Sequence, residues 1–153
     1  MPKFYLGVVT HKEARDVKTT EYFWCLPLDA SIGDVVLLYC PRVASDTKHG
    51  VFAEAVVTSE PKRVCDLNRY CSGYGAYGVK YFHVKIDIVR RFEAHILAAD
   101  MKNDRLLSTS AVIRKNFQGT TFELEEPQYK RILVIGSRKA ERANESRIAG
   151  KPE

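Results

Sequence analysis

The sequence predicts a mixed α+β (α/β) domain built around a small curved sheet or barrel with short flanking helices. Three observations carry this: strand-like segments dominate, they are short, and helices interrupt them without strict βα alternation. The irregular order argues against a doubly wound parallel sheet. A chain of 153 residues can bury roughly 68–70% of its unfolded surface, enough for one core without disulfides or metal. The expected organisation is one domain over residues 1–136 and a flexible basic tail over 137–153, where apolar periodicity ends.

Phe4–Thr10 reads as the first strand, with Phe4, Leu6 and Val8 on one face and Val9 opposite. The charged stretch His11–Lys18 reads as a short helix, followed by the aromatic segment Thr19–Pro27. Gly33-Asp34 is a turn signal leading into Asp34–Cys40, a strand apolar on both faces and therefore buried. Pro41–Gly50 is a polar loop, and Gly50–Ser59 is a second strand that should pair with the one before it. Glu60–Val79 is a Tyr- and Gly-rich connection. Lys80–Val89 alternates, with Phe82, Val84, Ile86 and Ile88 facing one way, as a half-buried strand requires. Ala94–Lys102 and Ser108–Asn116 read as short helices, Thr120–Leu124 as a strand, and Glu126–Ile135 as a helix with Pro127 in its first turn.

Composition excludes several classes. No apolar run approaches the ~20 residues a membrane helix needs, so no membrane partner is expected. The chain carries 24 Lys+Arg against 19 Asp+Glu, a net charge of +5. Part of that excess lies in the tail, so the domain permits an anion-binding patch without demanding a polyanionic partner. Cys25, Cys40, Cys65 and Cys71 show no Cys-x-x-Cys spacing, and the opening residues do not form a signal peptide. These read as thiols of a cytoplasmic protein, with no structural metal expected.

Catalytic signatures fail on context. Gly73–Gly78 spells a dinucleotide-binding pattern, but a polar stretch precedes it and a strand follows, so no helix N-terminus is in place for a pyrophosphate and no cofactor is expected. The histidines are scattered. Glu54 is an acid inside an apolar strand, either a general base in a pocket or an outward sheet residue. No catalytic site is visible, which favours a binding module over an enzyme.

What remains is aromatic and polar. In an extended segment Tyr22 and Trp24 share a face and Phe23 packs oppositely. Trp24 is either a core anchor or a plate for a planar ligand. Base recognition needs such a plate together with amides and hydroxyls for the base edge. Asn116, Gln118, Gly119, Thr120 and Thr121 supply these in one run, and Arg42, Arg114 and Lys115 are candidates to hold phosphates.

The run GDVVLLYCPR followed by GVFAEAVVTSEPK, with the opening FYLGVVT, the strand YFHVKIDIVRRF and the closing NFQGTTFELEEPQYKRIL, resembles EVE domains of the PUA-like superfamily. The resemblance covers residues 3–135 and extends to YTH and ASCH domains. It implies a PUA-like β-barrel that takes a modified or flipped base of DNA or RNA into an aromatic-lined pocket without catalysis. On that pattern Val9, Thr10 and His11, then Trp24 and Cys25, then the closing segment Lys115–Thr120 with Asn116, Gln118, Gly119 and Thr120 line the pocket, and Tyr22, which shares a face with Trp24, joins them as a candidate. The segment TTEYFWCLP stands where EVE domains have a differently composed run. The alternatives are an ASCH-like enzyme hydrolysing a modified nucleoside and a plain protein-interaction domain.

Overall fold

The computed structural model describes residues 1–9, 22–41, 49–61, 81–115, 117 and 121–149. Six strands are present among them: β1 (Phe4–Val8), β2 (Tyr22–Pro27), β3 (Val35–Cys40), β4 (Gly50–Val57), β5 (Tyr81–Ile96) and β6 (Thr121–Leu124). Helices α1 (Ala98–Lys102) and α2 (Ala111–Arg114), with a 3-10 turn at Leu107–Thr109 between them, lie between β5 and β6. The long helix α3 (Glu126–Ala149) follows β6. The helix expected over His11–Lys18 and the connection Lys62–Lys80 fall outside the described residues.

The strands form one 6-stranded sheet in the order β2-β5-β4-β3-β1-β6. β1 runs parallel to β3, and every other pairing is antiparallel. The sheet curls into a nearly closed barrel, and strand alternation divides its side chains between two cores. Tyr5, Val9, Trp24, Leu26, Val36, Leu38, Ala53, Ala55, Val84 and Ile86 fill the interior. Phe4, Leu6, Leu37, Tyr39, Val51 and Ile96 face outward and are covered by Met101, Leu107, Val112 and Ile132. A strand covered on both faces is apolar throughout, which explains the unbroken VVLLYC of β3.

The turn before β3 is held by a buried acid. Asp34 accepts the Lys3 amide on Oδ1 and the Ser31 amide on Oδ2, each at 2.9 Å, tying the start of β1 to that turn. Gly33 supplies the φ of +96° that the reversal requires.

The helix read over Ser108–Asn116 is shorter than expected, Ala111–Arg114 behind a 3-10 turn at Leu107–Thr109, and two further boundaries differ more. β5 continues through Ile96, where the sequence suggests a helix from Ala94. Ile96 pairs with Val51 across a register irregularity and is fully buried, and the helix begins only where Asp100 accepts the Leu97 amide at 2.8 Å. The local helical pattern yields to sheet pairing.

The second difference is the tail: residues 137–149 continue α3 instead of fraying. Ala, Arg, Lys and Glu propagate a helix already nucleated on the core, with no apolar stripe needed. Lys139 adds an anchor, donating to His95 O at 2.9 Å and to Asp100 Oδ2 at 2.7 Å. Truncation after Ala140 is therefore expected to leave stability unchanged. Truncation after Gly136 also removes Lys139 and should cost about 1–2 kcal/mol. Urea denaturation of the two truncated chains checks this.

α3 is also fixed to the helical layer through Asp104. Burial alone would raise this carboxyl, but Arg131 Nε at 2.6 Å and the amides of Leu106 and Leu107 outweigh it and hold Asp104 below the ordinary carboxylate value. A carboxyl depressed in the folded state stabilises the fold above its unfolded pKa, about 3.9, and that contribution is lost as pH falls through the folded value. Wild-type stability should thus drop more steeply below pH ~4 than that of Arg131→Ala. Denaturation midpoints measured across the acid range test the difference.

Candidate functional site

The seam of the barrel is made by side chains. β2 and β6 end the hydrogen-bonded order, and they meet through Trp24 and Thr121. Trp24 Nε1 donates to Thr121 Oγ1 at 3.0 Å, and the same hydroxyl donates to Cys25 O at 3.0 Å. Thr121 thus uses its oxygen as acceptor and donor at once, both inside a buried setting.

Gly7 makes the approach possible. It pairs with Thr121 across β1 and β6, and the indole of Trp24 lies over it so closely that a Cβ would sit 2.8 Å from the ring. Glycine inside a strand marks just such a close approach. The indole itself is 4% exposed.

On the outer face of the barrel, Phe117 stacks on Tyr39 with ring centroids 4.2 Å apart. Its φ is +59°, a left-handed conformation uncommon for a bulky residue. Its amide donates to Val112 O at 2.9 Å, so the chain leaving α2 turns back onto the barrel at this residue.

Among the sequence-derived site residues, Trp24 and Cys25 lie at the seam, and Tyr22 is the first residue of β2. Arg114 and Lys115 are exposed at the end of α2. Thr10, His11, Arg42, Asn116, Gln118, Gly119 and Thr120 lie outside the described residues. Gly7 and Thr121 complete the described part of the seam. Of these, Gly7 has a sequence signal as a glycine interrupting an otherwise apolar strand, and Thr121 belongs to the polar run that the sequence offers for a base edge.

Cys25 is disulfide-bonded, which corrects its reading as a thiol, whereas Cys40 is a buried thiol. Cys65 and Cys71 lie outside the described residues. No group of three or more His, Cys, Asp or Glu placed to hold a metal occurs among the described residues.

Glu54 faces the helix side of the sheet. Its Oε1 accepts Arg90 Nη2 at 2.7 Å and Nε at 3.2 Å, and its Oε2 accepts the Tyr129 hydroxyl. Burial, reinforced by the Glu54 carboxylate, pushes Tyr129 up to about 12. Arg90 lies over Phe92, and Tyr129 stacks on Phe4 with centroids 4.4 Å apart. With both oxygens engaged, Glu54 fastens α3 to the sheet.

No family model and no curated protein matches the sequence. Solved structures do match in fold. A hypothetical protein from Leishmania major has a TM-score of 0.69 at 14% identity, covering 92% of this chain and 98% of that one. The human THYN1 protein in complex with 5-methylcytosine-containing DNA has a TM-score of 0.63 at 11% identity, with 88% and 97% covered. The DUF55 domain of human thymocyte nuclear protein 1 has a TM-score of 0.60 at 10% identity, with 87% and 98% covered. The chain therefore has the fold of that DUF55 domain, a nearly closed barrel-like sheet with flanking helices.

Proposed function

We propose that this protein is a non-catalytic nucleic-acid-binding domain that reads a modified or flipped base at the barrel seam. The observation that carries the reading is a fold likeness over almost the whole chain to a protein solved with 5-methylcytosine-containing DNA. This reading puts the site at the seam. Val9, Trp24 and Thr121 lie close in sequence to the residues assigned to the pocket: Thr10 and His11 after β1, Tyr22 and Cys25 in β2, and Asn116, Gln118, Gly119 and Thr120 before β6.

In this reading Trp24 is a fixed wall. Its ring is buried and held by Gly7 and Thr121, so it shapes the seam from within at no further cost in side-chain ordering. The amides and hydroxyls of residues 116–120 read the base edge, and Arg42, Arg114 and Lys115 hold flanking phosphates.

The test is fluorescence anisotropy on matched duplexes carrying cytosine or 5-methylcytosine at one position. Tighter binding to the modified duplex is expected. Equal affinity for both duplexes would remove base reading, and absence of binding to either would remove the nucleic-acid assignment.

A further inference from the structure

Backbone ladders join β2 to β5, β5 to β4, β4 to β3, β3 to β1 and β1 to β6. The join that closes the barrel, between β2 and β6, has no ladder among the described residues. It is spanned instead by the Thr121 hydroxyl, which accepts from Trp24 Nε1 and donates to Cys25 O, each at 3.0 Å. Beyond these bonds the described parts of β2 and β6 approach each other little.

The two bonds are coupled through one oxygen. The hydroxyl proton is committed to Cys25 O and a lone pair receives the indole N–H, so a displacement of this one group breaks both. Trp24, Cys25 and Thr121 are all buried, and a buried donor left without an acceptor is costly. The seam is therefore either bonded and dry or parted and wet at this point. A ladder distributes its bonds along a strand, whereas here a single side chain of β6 supplies them.

Each strand is meanwhile well held by its own neighbours. Residues 22–27 of β2 pair with β5, Trp24 and Leu26 pack into the interior, and Cys25 is disulfide-bonded. Residues 121–124 of β6 pair with β1, and Phe122 and Leu124 pack into the outer core. Gly7 has no side chain to add at the seam, and the Cβ it lacks leaves the space that the indole occupies. Parting at Thr121 thus breaks no ladder and dismantles neither core.

We infer that the seam is a latch: β2 and β6 part at Thr121 while the rest of the sheet stays paired. The native protein then has a minor state in which the indole N–H, the Thr121 hydroxyl and the Cys25 carbonyl are open to solvent. Water satisfies each freed group, so the transition gives up two buried bonds and exposes little apolar surface. The latch is a property of the fold and holds whichever ligand the protein takes.

Native-state hydrogen exchange followed by NMR, with the disulfide intact, tests it. The probe is the Trp24 indole proton, set against the backbone amides of Val36 and Leu37 in β3, a strand paired on both flanks. Relative to its unprotected rate, the indole proton is expected to exchange more than about tenfold faster than these amides. Its rate should also respond weakly to added urea, because little surface opens. Thr121→Val keeps the shape of the side chain and removes the hydroxyl. It should speed indole exchange by roughly 5- to 10-fold and leave the β3 amides unchanged, with Thr121→Ser near wild type.

Indole exchange in wild type with the protection and urea dependence of the β3 amides would mean that the seam opens only by global unfolding, and overturns the latch. Equal acceleration of the indole and the β3 amides in Thr121→Val would assign the hydroxyl to overall stability and overturn it as well. Should Thr121→Val not fold, the urea dependence of the wild-type indole proton decides alone.

Discussion

Trp24→Ala is expected to destabilise the domain by roughly 3–5 kcal/mol, the range for truncating a buried aromatic. The indole is 4% exposed, lies over Gly7, and donates its side-chain N–H to Thr121. Alanine leaves a cavity where β1, β2 and β6 meet and removes the donor to the hydroxyl that closes the seam. Trp24→Phe keeps much of the ring and loses the bond, so a cost nearer 1–3 kcal/mol is expected. The protein has 1 tryptophan, so wild-type unfolding can be followed by fluorescence, while the variants need circular dichroism. A cost below about 1 kcal/mol for Trp24→Ala would show that the indole is not a core anchor. Duplex affinity measured in the folded Trp24→Phe protein then separates loss of the wall from loss of the fold.

Gly50→Ala is the second large effect. Gly50 opens β4 with a φ of +96°, and a Cβ there would lie 2.5 Å from the carbonyl oxygen of Ile96 and 2.9 Å from its carbon. Both are backbone atoms in the irregular part of β5, so no side chain can rotate away. Positive-φ strain of about 1 kcal/mol and steric displacement of about 1–3 kcal/mol should combine to ~2–4 kcal/mol. Gly33→Ala is the matched control: its φ is also +96°, but nothing lies within 4 Å of the added carbon. Its cost should be the strain alone, and equal destabilisation of the two variants would show that the clash with Ile96 contributes nothing. Denaturant midpoints at constant m-value provide the comparison.

The strands are the most legible part of the fold. Period-two alternation places Phe4 and Leu6 opposite Val9, and puts Val84, Ile86 and Ile88 on one face; the two cores divide them in that way. The β3–β4 hairpin follows from two apolar runs around a polar loop. Local pattern fails where a distant partner decides the conformation. Ala94–Ile96 reads as helix in isolation, but Val51 supplies a strand to pair with. Beyond Gly136 the reverse occurs: no apolar stripe announces a helix, yet Lys139 finds Asp100 and the helix persists. The seam is legible only as separate pieces. Its segments are far apart in sequence, and the Trp24–Thr121 bond spans a separation of 97 residues, which no local pattern can detect.

The placement of β1 has a consequence in time. It is made before the other five described strands, yet it lies between β3 and β6, pairing Phe4 with Val35 on one side and with Leu124 on the other. At about 5–20 residues per second, its second neighbour is synthesised roughly 6–24 s after the strand itself. Until then β1 has one open edge, and neither Gly7 nor Trp24 has Thr121 to meet. The growing chain must carry an unpaired strand flank until β6 is made, and the β3–β4 hairpin, complete long before, offers β1 its other partner in β3.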